Sequence, residues 1–516
     1  MFLRYTASAD NTIVNAFNKG LNTRGTGSNA GLADVLETFS IYGRQQPSSS
    51  TEVGSQELSR ILVQFPVPSI KSDRTVGTLP ASGSVNFYLK LFNAQHSKTV
   101  PRDFKLVVYP VSQSWQEGEG LDLENYKDVT NGNPGSNWLS ASNSSAWVKP
   151  GGDYITDNTN LIYEQSFANG IEDLEVNITP LVESWIAGSK QNYGVGVFLS
   201  SSYEAYFSGS DGQNSGSVLN NLEGAKQSYY TKRFFARGTQ YYFKRPLIEA
   251  RWDSTTRDQR SDFYFSSSLA PAADNLNTIY IYNFVRGRLT NIPSIGTGKI
   301  CVSLFSGSAA NDSPSGSALS LYNSKTALTG GYVSTGVYSC SVGIVSSSTS
   351  PLYDVWFSGS DSAADASKAA QQYFTGSITP KLYGALTTQA QDNFVIKITN
   401  LQEEYSSKQK ERFNLFVRSK NWNPTIYTKA NQTVTTTNIQ SASYSITRVI
   451  DNLLVVPHGT GSDNHTVLSY DDQGNYFDFD MSVLEPGYQY KFSFAFYDER
   501  LKKWKEQNTQ FKFKIV

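Results

Sequence analysis

Apolar and polar positions alternate with a period of two along most of this chain, in short runs cut by Gly, Ser, Thr and Asn. Residues 60–66 (RILVQFP), 85–92 (VNFYLKLF) and 104–109 (FKLVVY) are the clearest examples in the first half. Alternation over four to eight residues between turn-forming clusters predicts half-buried strands. Weaker alternation covers 3–17 and 33–39, and the Ser-rich stretch 45–55 reads as a loop. In the second half the same signal recurs at 279–283, 299–305, 331–338, 352–357, 395–401, 413–418, 444–448, 477–480, 488–494 and 511–516. One short segment breaks the period. In TPLVESWIAG, Thr179 suits an N-cap and Pro180 the first helical position; Leu181, Val182 and Trp185 share a face and Gly188 stops the helix. This helix predicts a plug for the end of a sandwich, with Trp185 inside. A turn of helix is also expected in the Ala-rich stretch 361–371.

The pattern predicts an all-β chain of three β-sandwich domains in series. They span 1–252, 262–392 and 393–516, the last two immunoglobulin-like, with 253–261 as a polar linker. A length of 516 residues accommodates several cores. The 31 Tyr and 29 Phe among them suit pleated, half-buried surfaces.

Charge removes one class of partner. The formal net charge is −1 and the basic residues are scattered, so the basic field that nucleic-acid binding needs is missing. No apolar stretch approaches a bilayer-spanning length, and the first residues lack the charged-then-apolar order of a secretory signal. The expectation is a protein made in a cytoplasm, without membrane contact. Two cysteines, Cys301 and Cys340, exclude a disulfide framework and read as reduced, buried thiols, although a single bridge between them fits the strand pattern.

An ordered series of phrases resembles the DNRLRE-like β-sandwich family. It comprises RILVQF (60–65), NFYLKLF (86–92), Val-x-x-x-Trp-x-Glu-Gly (111–118), Trp-x-x-Pro-Gly-Gly-Asp (147–153), Val-x-Ile-Thr-Pro-Leu-Val-x-x-Trp-x-x-Gly (176–188) and NYGVGVFL (192–199), closed by RPLIEARW (245–252). The resemblance implies a jelly-roll-like fold over 1–252, related to carbohydrate-binding modules. The remainder, from Asp262 to the C-terminus, with FYFSSSLAPAADNLNTIYIYN (263–283), GGYVSTGVYS, ERFNLFVRSKNWNPTIY and HGTGSDNHTVLSYDDQGNYFDFD, resembles virion structural proteins of large tailed marine bacteriophages. That likeness implies a virion location, other virion proteins as partners, and a homo-oligomeric or symmetric multicopy arrangement.

Candidate chemistry lies between 111 and 199, where four of the eight tryptophans fall. Trp138, Trp147 and Tyr154 are the residues that could stack a sugar ring, making a surface glycan a candidate ligand; the alternative is a loop-rich core layer. Glu117, Glu119, Asp122 and Glu124 could line a calcium loop or form a solvated acidic loop. Neither a nucleophile elbow, a phosphate-binding loop nor a Ser/His/Asp set is present, and the paired carboxylates of a glycosidase are not held on rigid elements. The expected function is therefore non-enzymatic: assembly or decoration at the head, neck, tail or baseplate, with a glycan-binding adhesin as the alternative.

Overall fold

The computed structural model describes residues 1–17, 25–43, 55–96, 102–121, 123–124, 127–128, 135–207, 219–225, 229–267, 270–307, 315–344, 351–360, 362–366, 368, 371–381, 394–420, 426, 436–499 and 501–516. The chain is all-β and divides into two compact units, Met1–Asp253 and Ser254–Val516.

The first unit packs two antiparallel sheets face to face. One has four strands, in the order Phe2–Thr6, Leu247–Arg251, Asn86–Leu91, Leu174–Asn177. The other has seven, in the order Tyr163–Phe167, Phe104–Pro110, Val195–Leu199, Ser55–Gln64, Val35–Gly43, Tyr229–Phe235, with Ala9–Val14 also paired to Ser55–Gln64. Alternate residues of both sheets meet in one core: Phe87, Leu89 and Ile248 from the smaller, Ile61, Val63, Leu106 and Val197 from the larger.

Two short helices close this core. The expected one is α2, Thr179–Ala187, which buries Leu181, Val182 and Trp185 and ends on Gly188 in the left-handed conformation at φ 76°. Its start differs from expectation. Ile178 occupies the N-cap without a side-chain bond, because the Thr179 hydroxyl accepts the Phe87 N–H and donates to Asn177. The other helix, α1 (Val67–Thr75), carries no sequence signal beyond prolines that read as a strand stop. Only Val67 and Ile70 are buried, and Arg74 pairs with Glu183 of α2 at 2.7 Å.

In the second unit, one seven-stranded sheet runs Asn277–Tyr282, Val337–Val342, Leu328–Ser334, Ile300–Gly307, Leu352–Phe357, Gln372–Ile378, with Ser315–Ala318 beside Ile300–Gly307. The stretch 331–338, read above as one strand, folds back on itself: Leu328–Ser334 and Val337–Val342 pair antiparallel and Gly336 takes φ 72°. The expected helical turn is α3, Ala363–Ala366. Cys301 and Cys340 are both free and buried, and burial pushes the Cys340 thiol up to about 12.

Further along, a four-stranded sheet contains Phe394–Ile398, Lys410–Ser419, Asn475–Asp480 and Ser469–Tyr470. A six-stranded one contains Glu404–Tyr405, Phe511–Ile515, Gln489–Asp498, Ala442–Arg448 and Leu454–Val456, with Lys503–Glu506 on Gln489–Asp498. Their facing sides share an aromatic core. Phe477 stacks on Phe413 and Tyr444 at 5.2 and 4.4 Å, and Phe492 on Phe513 at 4.6 Å.

The expected linker is instead part of this unit. Asp258 donates its N–H to the Tyr470 carbonyl, and Tyr470 returns one to Thr256. Arg260 grips both carboxylate oxygens of Asp354 at 2.6 Å. Nine polar residues in sequence look like a tether; buried partners far along the chain make 254–262 a structural strap.

Candidate functional site

The residues singled out between 111 and 154 lie over the outer face of the seven-stranded sheet. On Ser55–Gln64, the odd positions Ile61 and Val63 feed the main core, while Leu58, Arg60 and Leu62 point the other way. Leu58 and Leu62, with Ile13 and Val111, receive Trp115, Trp138 and Trp147 in a second, smaller core. Trp138 is fully buried and Trp147 is 5 % exposed, so neither offers a ring face to a sugar. The indole N–H of Trp147 goes to the Asn137 carbonyl and that of Trp115 to the Tyr193 carbonyl, at 2.8 and 2.7 Å. A large apolar body with one donor suits a layer of loops, whose carbonyls need such partners.

The Pro-Gly-Gly-Asp segment locks this layer. Gly151 and Gly152 take φ 83° and 103°, where side chains are strained, and a Cβ on Gly151 would stand 2.9 Å from the Trp138 ring. Asp153 then accepts the N–H groups of Val148 and Lys149. Tyr154, half-buried, donates to the Gly151 carbonyl and lies 4.9 Å from the Phe198 ring.

Arg60 stands at the centre of the layer. A lone charge in the apolar run RILVQF is the one signal in the sequence that could have pointed to it. Its guanidinium binds both oxygens of Glu204, donates to the Gly151 carbonyl at 3.1 Å and sits 4.2 Å from the Phe198 ring centre. Burial works to lower its pKa, but the charge and hydrogen bonds of Glu204 outweigh that and hold it above its ordinary value. The pair ties two loops, at Gly151 and Glu204, to the strand Ser55–Gln64.

The acidic stretch is dispersed. Glu117 is engaged by Arg237 through both oxygens, at 2.9 and 2.8 Å, and also accepts the Asp10 N–H, which removes it from the role of open calcium ligand. Glu119 is exposed. Asp122 lies outside the described residues, and of Glu124 the backbone alone is described, in the short strand Leu123–Glu124. Among the described residues no group of three His, Cys, Asp or Glu is placed to hold a metal ion.

Asp10 was not singled out by its sequence context, yet it is the perturbed carboxyl of this region. It is 2 % exposed; burial, followed by the nearby Glu117 charge, pushes it up to about 7, against the Arg237 N–H that it accepts. A carboxyl raised in the folded state binds its proton more tightly there than in the unfolded chain. Its contribution to stability is therefore complete below about pH 4 and lost as pH rises through about 7. Asp258 in the second unit is raised to about the same value, so both units titrate in one window. We expect Asp10→Asn to flatten the fall in urea midpoint between pH 4 and 7 for the first unit alone; an unchanged slope would show that Asp10 does not titrate there.

A cavity of about 190 Å³ opens beside this region. Its lining includes alternate residues of one strand (Val35, Glu37, Phe39, Ile41), Thr12 and Val14 of a second, and Glu57 of a third, with Phe17 and the buried Ser28. Pockets for drug-sized ligands measure roughly 300–1,000 Å³. This one accepts at most a single small ring, between aromatic walls and carboxylate acceptors.

Known proteins add little. Neither a family model nor a curated protein matches the chain. One solved structure, trypsin-activated alpha-2-macroglobulin from Escherichia coli, aligns over 93 % of this chain and 30 % of its own, at 10 % identity and a TM-score of 0.16. The chain thus spans about a third of that protein, and a TM-score that low carries no argument about fold or function.

Proposed function

We propose that the chain is a non-enzymatic structural protein of a tailed bacteriophage particle, working through protein–protein contacts in assembly or decoration. The observation that supports this best is the fate of its reactive-looking side chains. Trp115, Trp147, Arg60, Glu204, Glu117 and Asp153 all hold loops in place, which is the work of a rigid scaffold. The phrase resemblance from Asp262 onward supplies the setting, and a repeated particle supplies symmetric, multicopy contacts. Mass spectrometry of purified particles should find the intact chain in several copies per particle; its absence removes the proposal.

The cavity favours one second reading, a glycan-binding module, with the sugar contact at Phe17 and Phe39 rather than at Trp138 and Trp147. A glycan array on which the full chain stays silent would eliminate it.

A further inference from the structure

Two neighbouring hairpins in the second unit carry large apolar side chains that the fold leaves in solvent. The first is the two-stranded arm Phe284–Val285 and Arg288–Leu289, a sheet of its own. Phe284 is 61 % and Val285 50 % exposed. Adjacent strand residues point to opposite faces, so the arm is bare on both sides. The second is the hairpin of Leu328–Ser334 and Val337–Val342, where Tyr332 and Val333, near the end of the first strand, are 37 % and 46 % exposed.

At its base the arm is fixed. Asn283 donates its N–H to the Gly336 carbonyl and accepts that of Thr290, its side chain donates to the Thr290 carbonyl, and Asn291 accepts the Gly336 N–H. Gly336 is what lets the hairpins touch, since a Cβ there would stand 2.6 Å from the Thr290 nitrogen. A clamped base with a bare tip is pre-organised for docking, because little freedom is left to lose on binding.

Charge says what kind of partner fits. Between Asp274 and Asp354 the sequence holds one acid, Asp312, against Arg286, Arg288, Lys299 and Lys325. Arg286 and Arg288 are exposed, and neither guanidinium has an ion pair among the described residues. Arg286 forms the apex of the arm at φ 52°, followed by Gly287 at 75°. Hairpin turns of this type favour Asn or Gly there, so the arginine is held against its own backbone preference.

We infer that this arm docks into a groove on another protein, with apolar walls for Phe284 and Val285 and carboxylates on its floor for Arg286 and Arg288. A lipid surface fits less well, since it takes an apolar apex with the bases behind it; here the guanidinium leads. Pairing of two arms would bring four like charges together. The inference rests on the assembly reading only for where the partner is found.

The test places the photoreactive p-benzoylphenylalanine at position 284 of the full chain, in the cells that make it, and identifies the crosslinked peptides. We expect a peptide of a different protein with Asp or Glu beside the crosslinked residue, and a yield at least about tenfold lower when Arg286→Glu and Arg288→Glu are added. Unchanged thermal unfolding of these exposed variants confirms that they fold. A yield indifferent to charge reversal, a crosslink to lipid or to a second copy, or no crosslink each overturns the inference. A partner that is absent from particles leaves the arm standing and counts against the virion setting instead.

Discussion

Glu204→Ala is expected to lower the stability of the first unit by about 3–5 kcal/mol, the usual cost of stranding one member of a buried ion pair. Arg60 and Glu204 are 8 % and 9 % exposed at their side chains. Without the carboxylate, the guanidinium keeps the Gly151 carbonyl and the Phe198, Trp138 and Tyr154 rings, none of which carries a compensating charge. Urea unfolding followed by tryptophan fluorescence should show an earlier first transition and an unchanged second one. The companion Arg60→Met with Glu204→Leu should recover most of the loss, since an apolar pair of similar size carries no desolvation cost. If Glu204→Ala leaves the first transition in place, the pair does not hold the loops.

The second unit has its own version of this device. Asp354 is fully buried, receives Arg260 on both oxygens and the Trp356 indole N–H at 2.7 Å. Gly376 makes room for it: a Cβ there would stand 2.7 Å from Arg260 and 2.8 Å from Asp354. Asp354→Ala strands both a guanidinium and an indole donor, and we expect a loss again of about 3–5 kcal/mol. Because Arg260 belongs to the strap at 254–262, limited proteolysis should then cut within that strap while the first unit stays intact. Continued resistance there would show that the backbone bonds to Tyr470 suffice.

The sequence made legible whatever depends on neighbours in the chain. Period-two alternation marks strands such as Asn86–Leu91, and the Thr-Pro…Gly frame marks α2, because the caps and the apolar face lie within ten residues. Helix α1 stayed hidden because only Val67 and Ile70 face inward and its prolines imitate a stop. The fold-back at Gly336 stayed hidden because Ser-Thr-Gly lacks the Asn-Gly signature and the strand-like composition runs on through it. The site was less legible still. Arg60 meets Glu204 across 144 residues and Asp10 meets Arg237 across 227; no local pattern carries such pairings. Trp138 and Trp147 could be named as important, but whether they face sugar or core depends on Leu58 and Leu62, which a one-residue change of register would turn away.

Strand order also sets a timetable for synthesis. Leu247–Arg251 lies between Phe2–Thr6 and Asn86–Leu91, so the smaller sheet of the first unit has a gap at its centre until its last strand arrives. Arg4 and Glu249 are 245 residues apart. At ribosomal speeds of about 5–20 residues per second, that is a wait of about 12–50 s. Phe2–Thr6 waits throughout it and Asn86–Leu91 for the later part, each leaving unpaired, in a crowded cell, the edge that the late arrival will cover. A nascent chain of this kind is a client for chaperones, and any translational pause before residue 247 prolongs its exposure.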